Sequence, residues 1–99
     1  MAARMHLTSA AEKDIDEAYA WYEKQRSGLG DDFLTRVEAC LRQIDRWPKL
    51  FPSVDEHCRR ALVRRFPYAI YFEPTEEQTI VHCMIHTARD SKTWRDRLP

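Results

Sequence analysis

Long apolar runs are missing from this 99-residue chain: none extends beyond a few residues, against the roughly 20 a bilayer-spanning helix needs. Glycine is scarce, with two residues, and there are five prolines, which excludes collagen-like and low-complexity chains. Cysteine is limited to Cys40, Cys58 and Cys83, an odd number without C-x-x-C spacing. That pattern suits neither a disulfide framework nor a zinc knuckle; reduced thiols in a cytosol fit it. The amino terminus, Met1-Ala-Ala-Arg-Met-His6, lacks the apolar stretch of a signal peptide, so a cytoplasmic location is expected. Net charge is absent as well. Sixteen Lys and Arg offset sixteen Asp and Glu, which argues against a general nucleic-acid coat.

What is present suits one small domain spanning residues 1–99. The chain is 43% hydrophobic, with three Trp, four Tyr and four Phe, enough for a core and too much for intrinsic disorder. A domain of this size buries about 60–70% of its unfolded surface, leaving no cofactor-sized cavity beside the core, and no cofactor is expected. The charge is unevenly spread. Residues 1–58 carry a net −3 and residues 59–99 a net +3, by chance or as a basic surface offered to an acidic partner.

The coarse element order is β-α-α-β-β-β. His6-Leu-Thr8 reads as a brief first strand, and Ser9-Ala-Ala-Glu12 as a capping box opening a helix. Ala11, Ile15, Ala18, Tyr19 and Tyr22 form its apolar stripe. Ser27-Gly28-Leu29-Gly30 breaks that helix, and Asp31 is placed to cap a second. Its stripe is Phe33, Leu34, Val37, Leu41 and Ile44, ending at Trp47-Pro48. A link this short makes an antiparallel helix hairpin. After the breaker-rich Lys49–Ser53 the period becomes strand-like, with runs at 60–65, 68–72 and 79–85 separated by Phe66-Pro67 and a polar turn at 74–78. These read as an antiparallel meander, giving an α+β sandwich of two layers. Strict alternation would put Val81, Cys83 and Ile85 on one face, and Ile80, His82, Met84 and His86 on the other. Both faces are apolar enough to need cover. The tail 89–97 is polar apart from Trp94 and has room for a short helical turn.

Few residues point to chemistry. Gly28-Leu-Gly30 follows a helix rather than a strand and lacks the lysine of a phosphate loop. A metal held by His82, Cys83 and His86 is excluded on a regular strand, because residues four apart lie ~13 Å from each other and adjacent ones face opposite ways; no metal site is expected. Cys40 fits a small core position. What remains is a set of arginines interleaved with aromatics: Arg59, Arg60, Arg64 and Arg65 around the second strand, and Arg89, Arg95 and Arg97 after the last. If the last two strands are the central pair, Tyr68 and His86 lie beside this group. Such a set can bind phosphates, stack a base and move a proton, or serve as a solvated edge that keeps the sheet soluble.

The same stretches carry a resemblance. Ala10-Ala-Glu-Lys-Asp-Ile15, Ala18-Tyr-Ala-Trp-Tyr22, Phe33-Leu34, Trp47-Pro48 and Phe51-Pro52 are joined by Arg64-Arg-Phe-Pro-Tyr-Ala-Ile-Tyr-Phe72, Ile85-His-Thr-Ala-Arg-Asp90 and Trp94-Arg95. Together they resemble the RelE/ParE superfamily of toxins from type II toxin–antitoxin modules. The resemblance implies a helix hairpin on a small, mainly antiparallel sheet, and a cognate antitoxin encoded in the same operon. The superfamily divides by target. RelE-like members cut mRNA on the ribosome with arginines, lysines and a tail tyrosine. The arginine that follows Pro-Tyr in that branch would fall on Ala69 here, and the tyrosine near Trp94 or Arg95; Arg89 matches. ParE-like members poison DNA gyrase without that set, and the neutral total charge sits better with them. The expected function is therefore that of a ParE-like gyrase poison. The alternatives are a ribosome-dependent endoribonuclease using Arg89, Arg65, His86 and Tyr68, or an inactive antitoxin-binding subunit. Target or partner binding is expected of Arg60, Arg64, Ile80, Met84, Trp94 and Arg95, with no membrane involved.

Overall fold

Spacings of three and four residues bring Ala11, Ile15, Ala18 and Tyr22 to one side of α1 (Ser9–Gln25), and all four are buried. The structure, a computed structural model, describes residues 4–98; the start of the amino-terminal stretch, 1–3, and Pro99 lie outside the described residues. Gly30, Phe33, Val37, Cys40 and Ile44 form the buried side of α2 (Leu29–Arg46). The two helices pack as the expected hairpin against a four-stranded sheet. Its strands are β1 (Met5–Leu7), β2 (Arg59–Leu62), β3 (Tyr68–Pro74) and β4 (Thr79–His86), in the order β1-β4-β3-β2. β1 runs parallel to β4 and the other pairs are antiparallel. Thus β3 and β4 are central, and β1 and β2 are the edges. A third helix, α3 (Asp90–Arg97), follows a 3-10 turn at Thr87–Arg89. Among the described residues, no helix is long and apolar enough to cross a membrane.

Helix starts are set by neighbours rather than by the local cap signals. Thr8, not Ser9, caps α1: its hydroxyl accepts the Ala11 N–H at 3.1 Å and donates to the His82 carbonyl at 3.0 Å. Its backbone N–H also bonds the Val81 carbonyl at 3.1 Å, so pairing with β4 fixes where the helix begins. Asp31 does not cap α2, which starts at Leu29 after a left-handed Gly28 (φ 90°). Glu23 of α1 does that work across the hairpin, accepting the N–H groups of Gly28 and Gly30 at 2.9 Å each. Asp31 instead accepts the Tyr19 hydroxyl.

The sheet departs from simple alternation at one place. Tyr71 pairs with Cys83 but Phe72 pairs with Val81, so His82 is an extra residue in β4, a β-bulge. Side chains before and after it are out of phase. Val81 and Met84 both face the helix hairpin, in a core with Phe33, Val37, Ile44, Ile70 and Phe72. Cys83 and Ile85 face away, with Ala69 and Tyr71. The expected grouping of Val81 with Cys83 and Ile85 is corrected accordingly. Met84, expected to share a face with Ile80 and to bind a partner, is buried under the hairpin.

Two further expectations change. β2 stops at Leu62, and Arg64 and Arg65 lie in a turn, where Arg65 has a positive φ of 73°. The tail is an eight-residue helix rather than a single turn. α3 supplies the second cover of the sheet: Trp94 and Leu98, with Val54, pack against the Ala69–Tyr71–Cys83–Ile85 cluster. Arg97 Nη2 donates to Asp14 Oδ2 at 2.7 Å, and the same oxygen accepts the Met84 N–H at 3.0 Å. One carboxylate of α1 therefore ties α3 and β4 together. All three cysteines are free and buried, as the sequence implies for reduced thiols.

Two substitutions probe these contacts. A Cβ added at Gly30 would lie 2.8 Å from both the Tyr19 ring and Glu23 Oε1, so Gly30→Ala is expected to cost about 1–3 kcal/mol. That corresponds to a melting temperature lower by roughly 4–8 °C per kcal/mol in a domain of this size. Thr8→Val removes the cap and strands the His82 carbonyl, at about 1–2 kcal/mol, whereas Thr8→Ser retains most of the stability. Thermal melts by circular dichroism check both. An unchanged melt for Gly30→Ala would mean that the hairpin packs less closely than described.

Candidate functional site

The turn 63–67 and the end of β4 meet through backbone bonds: Val63 N–H to the Tyr68 carbonyl at 2.9 Å, and Thr87 N–H to the Pro67 carbonyl at 2.8 Å. The register Tyr68↔His86 then puts those two rings edge to face, with centroids 5.2 Å apart. Behind Tyr68 stands an aromatic cluster of Tyr22, Phe33 and Phe66, with centroids within 5.0–5.3 Å of one another. It fixes the tyrosine from the helix side. Burial raises the pKa of Tyr68, while the Arg89 charge and a hydrogen bond from Tyr22 act in the opposite direction. Tyr68, His86 and Arg89 are thus brought together, as the arginine-and-aromatic pattern suggests.

His86 has a defined orientation. Its Nδ1 accepts the Ala88 N–H at 3.1 Å, so the neutral ring carries its proton on Nε2. In that tautomer the free edge of the ring offers a donor rather than a base. Ala69, next to Tyr68, is wholly buried on the opposite face of the sheet, beneath α3.

Arg65 belongs to a different neighbourhood. It lines an open pocket of about 330 Å³ together with Arg26, Leu29, Asp32, Arg36 and Phe66. Arg26 and Arg36 were not selected from the sequence; one follows α1 and the other lies within α2, and only closure of the hairpin brings them to Arg65. Arg64 is exposed in the same turn.

The remaining expected binding residues lie on the α3 side. Arg60 Nε donates to the Tyr71 hydroxyl at 3.2 Å. Tyr71 stacks on Trp94 at 5.7 Å with planes 12° apart, and the Arg95 guanidinium lies 5.1 Å from the Trp94 ring. Trp94 is therefore a packing residue with one edge near solvent. Ile80 is half-buried between its partners His6 and Glu73. The expected site residues accordingly fall into two groups on opposite sheet faces, plus the Arg65 pocket.

A free nucleophilic thiolate is disfavoured at all three cysteines. Burial pushes the Cys40 and Cys58 thiols up to about 11 and Cys83 to about 12, far from the range of a reactive thiolate. His82, Cys83 and His86 do not form a ligand set; among the described residues the set that gathers is Cys58, Glu73 and His82.

No curated protein matches this sequence. Among solved structures, a chain described as from the chromosomal ParDE TA system of P. aeruginosa superposes with a TM-score of 0.75. The match covers 86% of this chain and 96% of that one at 13% identity, a likeness of fold. The family model of the ParE toxin of the type II toxin–antitoxin system parDE matches residues 5–91, a span that takes in the helix hairpin, the whole sheet and Arg89, and the chain belongs to that toxin family.

Proposed function

We propose that this chain arrests growth by binding and poisoning DNA gyrase, without cutting RNA, and that a cognate antitoxin neutralises it. The observation that carries the choice is Ala69. Where the ribonuclease branch resembled by the sequence carries an arginine, this chain has a methyl group packed beneath α3 with no exposed surface. Positioned proton transfer contributes about 10²–10⁴ in rate, and loss of one charge-stabilising donor costs about 10²–10³. The tail offers Trp94 and Arg95 in place of a tyrosine, and His86 presents a donor rather than a base. Those losses fall together on the same reaction.

The second reading, a ribosome-dependent endoribonuclease, draws on the Tyr68–His86–Arg89 group. It retains an aromatic platform, a proton donor and a cation at one sheet end.

The antitoxin surface proposed from the sequence must be moved. Met84, expected to bind the partner, is in the core under the hairpin, and α3 covers the opposite face of the sheet. Among the described residues, the large apolar ones left exposed are Trp21, Trp47, Leu50 and Leu62. Leu62 ends the edge strand β2, and Arg59 of that strand holds the Leu50 loop by donating to the Phe51 carbonyl at 2.7 Å. The outer edge of β2 is already partly taken, by the Ser53↔Arg59 bridge and the Arg60 N–H on the Pro52 carbonyl at 3.0 Å, so side chains carry the reading. Exposed Leu50 and Leu62, with Arg64 close to Leu62 in sequence, fit an acidic, partly apolar segment docked over β2.

Induction of the chain alone is expected to stop bacterial growth, with inhibited supercoiling by purified gyrase and intact cellular mRNA by primer extension. Codon-phased cuts with normal supercoiling would establish the ribonuclease instead. Growth unaffected by a folded chain that still binds its antitoxin would identify an inactive subunit.

Arg89→Ala is expected to weaken growth arrest while shifting stability by no more than about 0.5 kcal/mol, the usual range for an exposed position. Full toxicity in that variant removes Arg89 from the functional set. For the partner, co-expression with the adjacent small gene should give a complex stable to moderate salt, and Leu62→Glu should weaken it at least tenfold. Separate elution at low salt, or an undiminished complex with Leu62→Glu, rules out the β2 surface.

A further inference from the structure

The face of the sheet turned away from the helix hairpin holds a group of side chains that the proposed function does not call on. Glu73 follows Tyr71 by two residues on β3 and so shares its face. His82 is the bulged residue of β4, and its Nε2 lies 3.0 Å from Glu73 Oε1. Cys58 immediately precedes β2 and is 3% exposed. The thiol sulfur, a carboxylate oxygen and an imidazole nitrogen all lie within 4.8 Å of one another.

We infer that Cys58, Glu73 and His82 form a binding site for a divalent transition-metal ion of the zinc class. Sulfur, nitrogen and oxygen donors in one set are those zinc takes in proteins, at about 2.3, 2.0 and 2.0–2.2 Å. On a tetrahedral ion such donors stand roughly 3.4–3.6 Å apart, so the His82–Glu73 pair at 3.0 Å opens by about 0.4 Å and the wider separations, none above 4.8 Å, close by about 1.3 Å or less. Three protein ligands leave the fourth position to water or to a donor from a partner. The donor set is also too soft for magnesium or calcium, which take oxygen ligands.

The ligands stand on rigid elements. β3 and β4 are the central strands of the sheet, and the bulge that carries His82 is held by the Thr8 hydroxyl on the His82 carbonyl. Cys58 is positioned by a tight turn in which Asp55 Oδ1 accepts the N–H groups of His57 and Cys58 at 2.8 and 2.7 Å, and the Cys58 carbonyl accepts the Val54 N–H at 2.8 Å. The side chains of Glu73 and His82 remain 25% and 10% exposed, which gives an ion its path from solvent. Binding exchanges the Cys58 thiol proton for the metal and that proton passes to the buffer, while the His82 Nε2 proton directed at Glu73 relocates to Nδ1 and frees Nε2 as the ligand. The ion would clamp the 53–58 loop to both central strands. The site lies on the α3 face, away from Tyr68 and His86, and does not depend on which cellular target the toxin has.

The test uses the full chain stripped with a chelator and titrated with Co²⁺ and then Zn²⁺. Expected are one equivalent of bound Co²⁺ with visible d–d bands and a thiolate-to-cobalt charge-transfer band, displacement by Zn²⁺, and release of about one proton per ion. At a hundredfold excess over Kd, Zn²⁺ should raise the melting temperature by about 10–20 °C. Cys58→Ser and His82→Gln should abolish the charge-transfer band and the melting shift, and Cys83→Ser should keep both. Should either of the first two fail to fold, Glu73→Gln decides. It keeps the size and hydrogen-bonding capacity of the side chain, so the metal-free melt stays unchanged while affinity falls at least tenfold. No saturable binding by the wild-type chain overturns the inference. So does a band that survives Cys58→Ser or vanishes with Cys83→Ser, and so does unchanged affinity in Glu73→Gln.

Discussion

The grip of α1 on β4 around the bulge at His82 is the constraint on which the other features depend. Thr8 bonds the carbonyls of both Val81 and His82, and Asp14, further along the same helix, accepts the Met84 N–H. The inserted residue and its displaced backbone groups are thereby supplied with partners, as buried polar groups require. Without the extra residue, one half of β4 would present its side chains to the wrong side. With it, Val81 and Met84 both reach the hairpin core, while Cys83 and Ile85 reach the opposite face.

That phase change gives the sheet two cores rather than one. The larger lies under the hairpin and is built on aromatic contacts among Tyr22, Phe33, Phe66 and Tyr68. The smaller lies under α3, where Trp94 stacks on Tyr71. The Asp14–Arg97 pair links the two layers past the β1 side of the sheet, with Asp14 half-buried and Arg97 at the surface. Its worth lies mainly in the shared Met84 N–H: an exposed ion pair alone contributes little, whereas an unsatisfied buried amide costs about 1–3 kcal/mol. Because α3 is seated in this way, Ala69 has no exposed surface, while Tyr68, His86 and Arg89 gather at the end of the central strands.

The electrostatic pattern acquires meaning through the same geometry. The basic half of the chain is divided among β2, its turn and α3, so its arginines do not form one continuous surface. Arg60 and Arg95 attend the Tyr71–Trp94 stack, Arg59 fastens the Leu50 loop, and Arg65 joins Arg26 and Arg36. A neutral chain can still present local positive potential around β2 without an overall charge excess.

By itself the sequence determined the element order, the helix hairpin, the meander and the reduced cysteines. Those rest on periodicity, breakers and composition, which act over a few residues and need no distant partner. It put Tyr68 and His86 beside the arginines on condition that the last two strands were the central pair; the strand order meets that condition for Arg89, while Arg65 goes to a separate pocket. Only the tertiary structure decided the cap at Thr8, the role of Glu23 at the start of α2, the phase of β4 and the cover supplied by α3. Each depends on a contact between residues remote in the chain: Thr8 with His82, Asp14 with Arg97, Arg26 with Arg65. The gathering of Cys58, Glu73 and His82 is of the same kind. Strict alternation on an isolated strand gives His82 no reason to meet a thiol, and it is the bulge, fixed from α1, that turns it toward one.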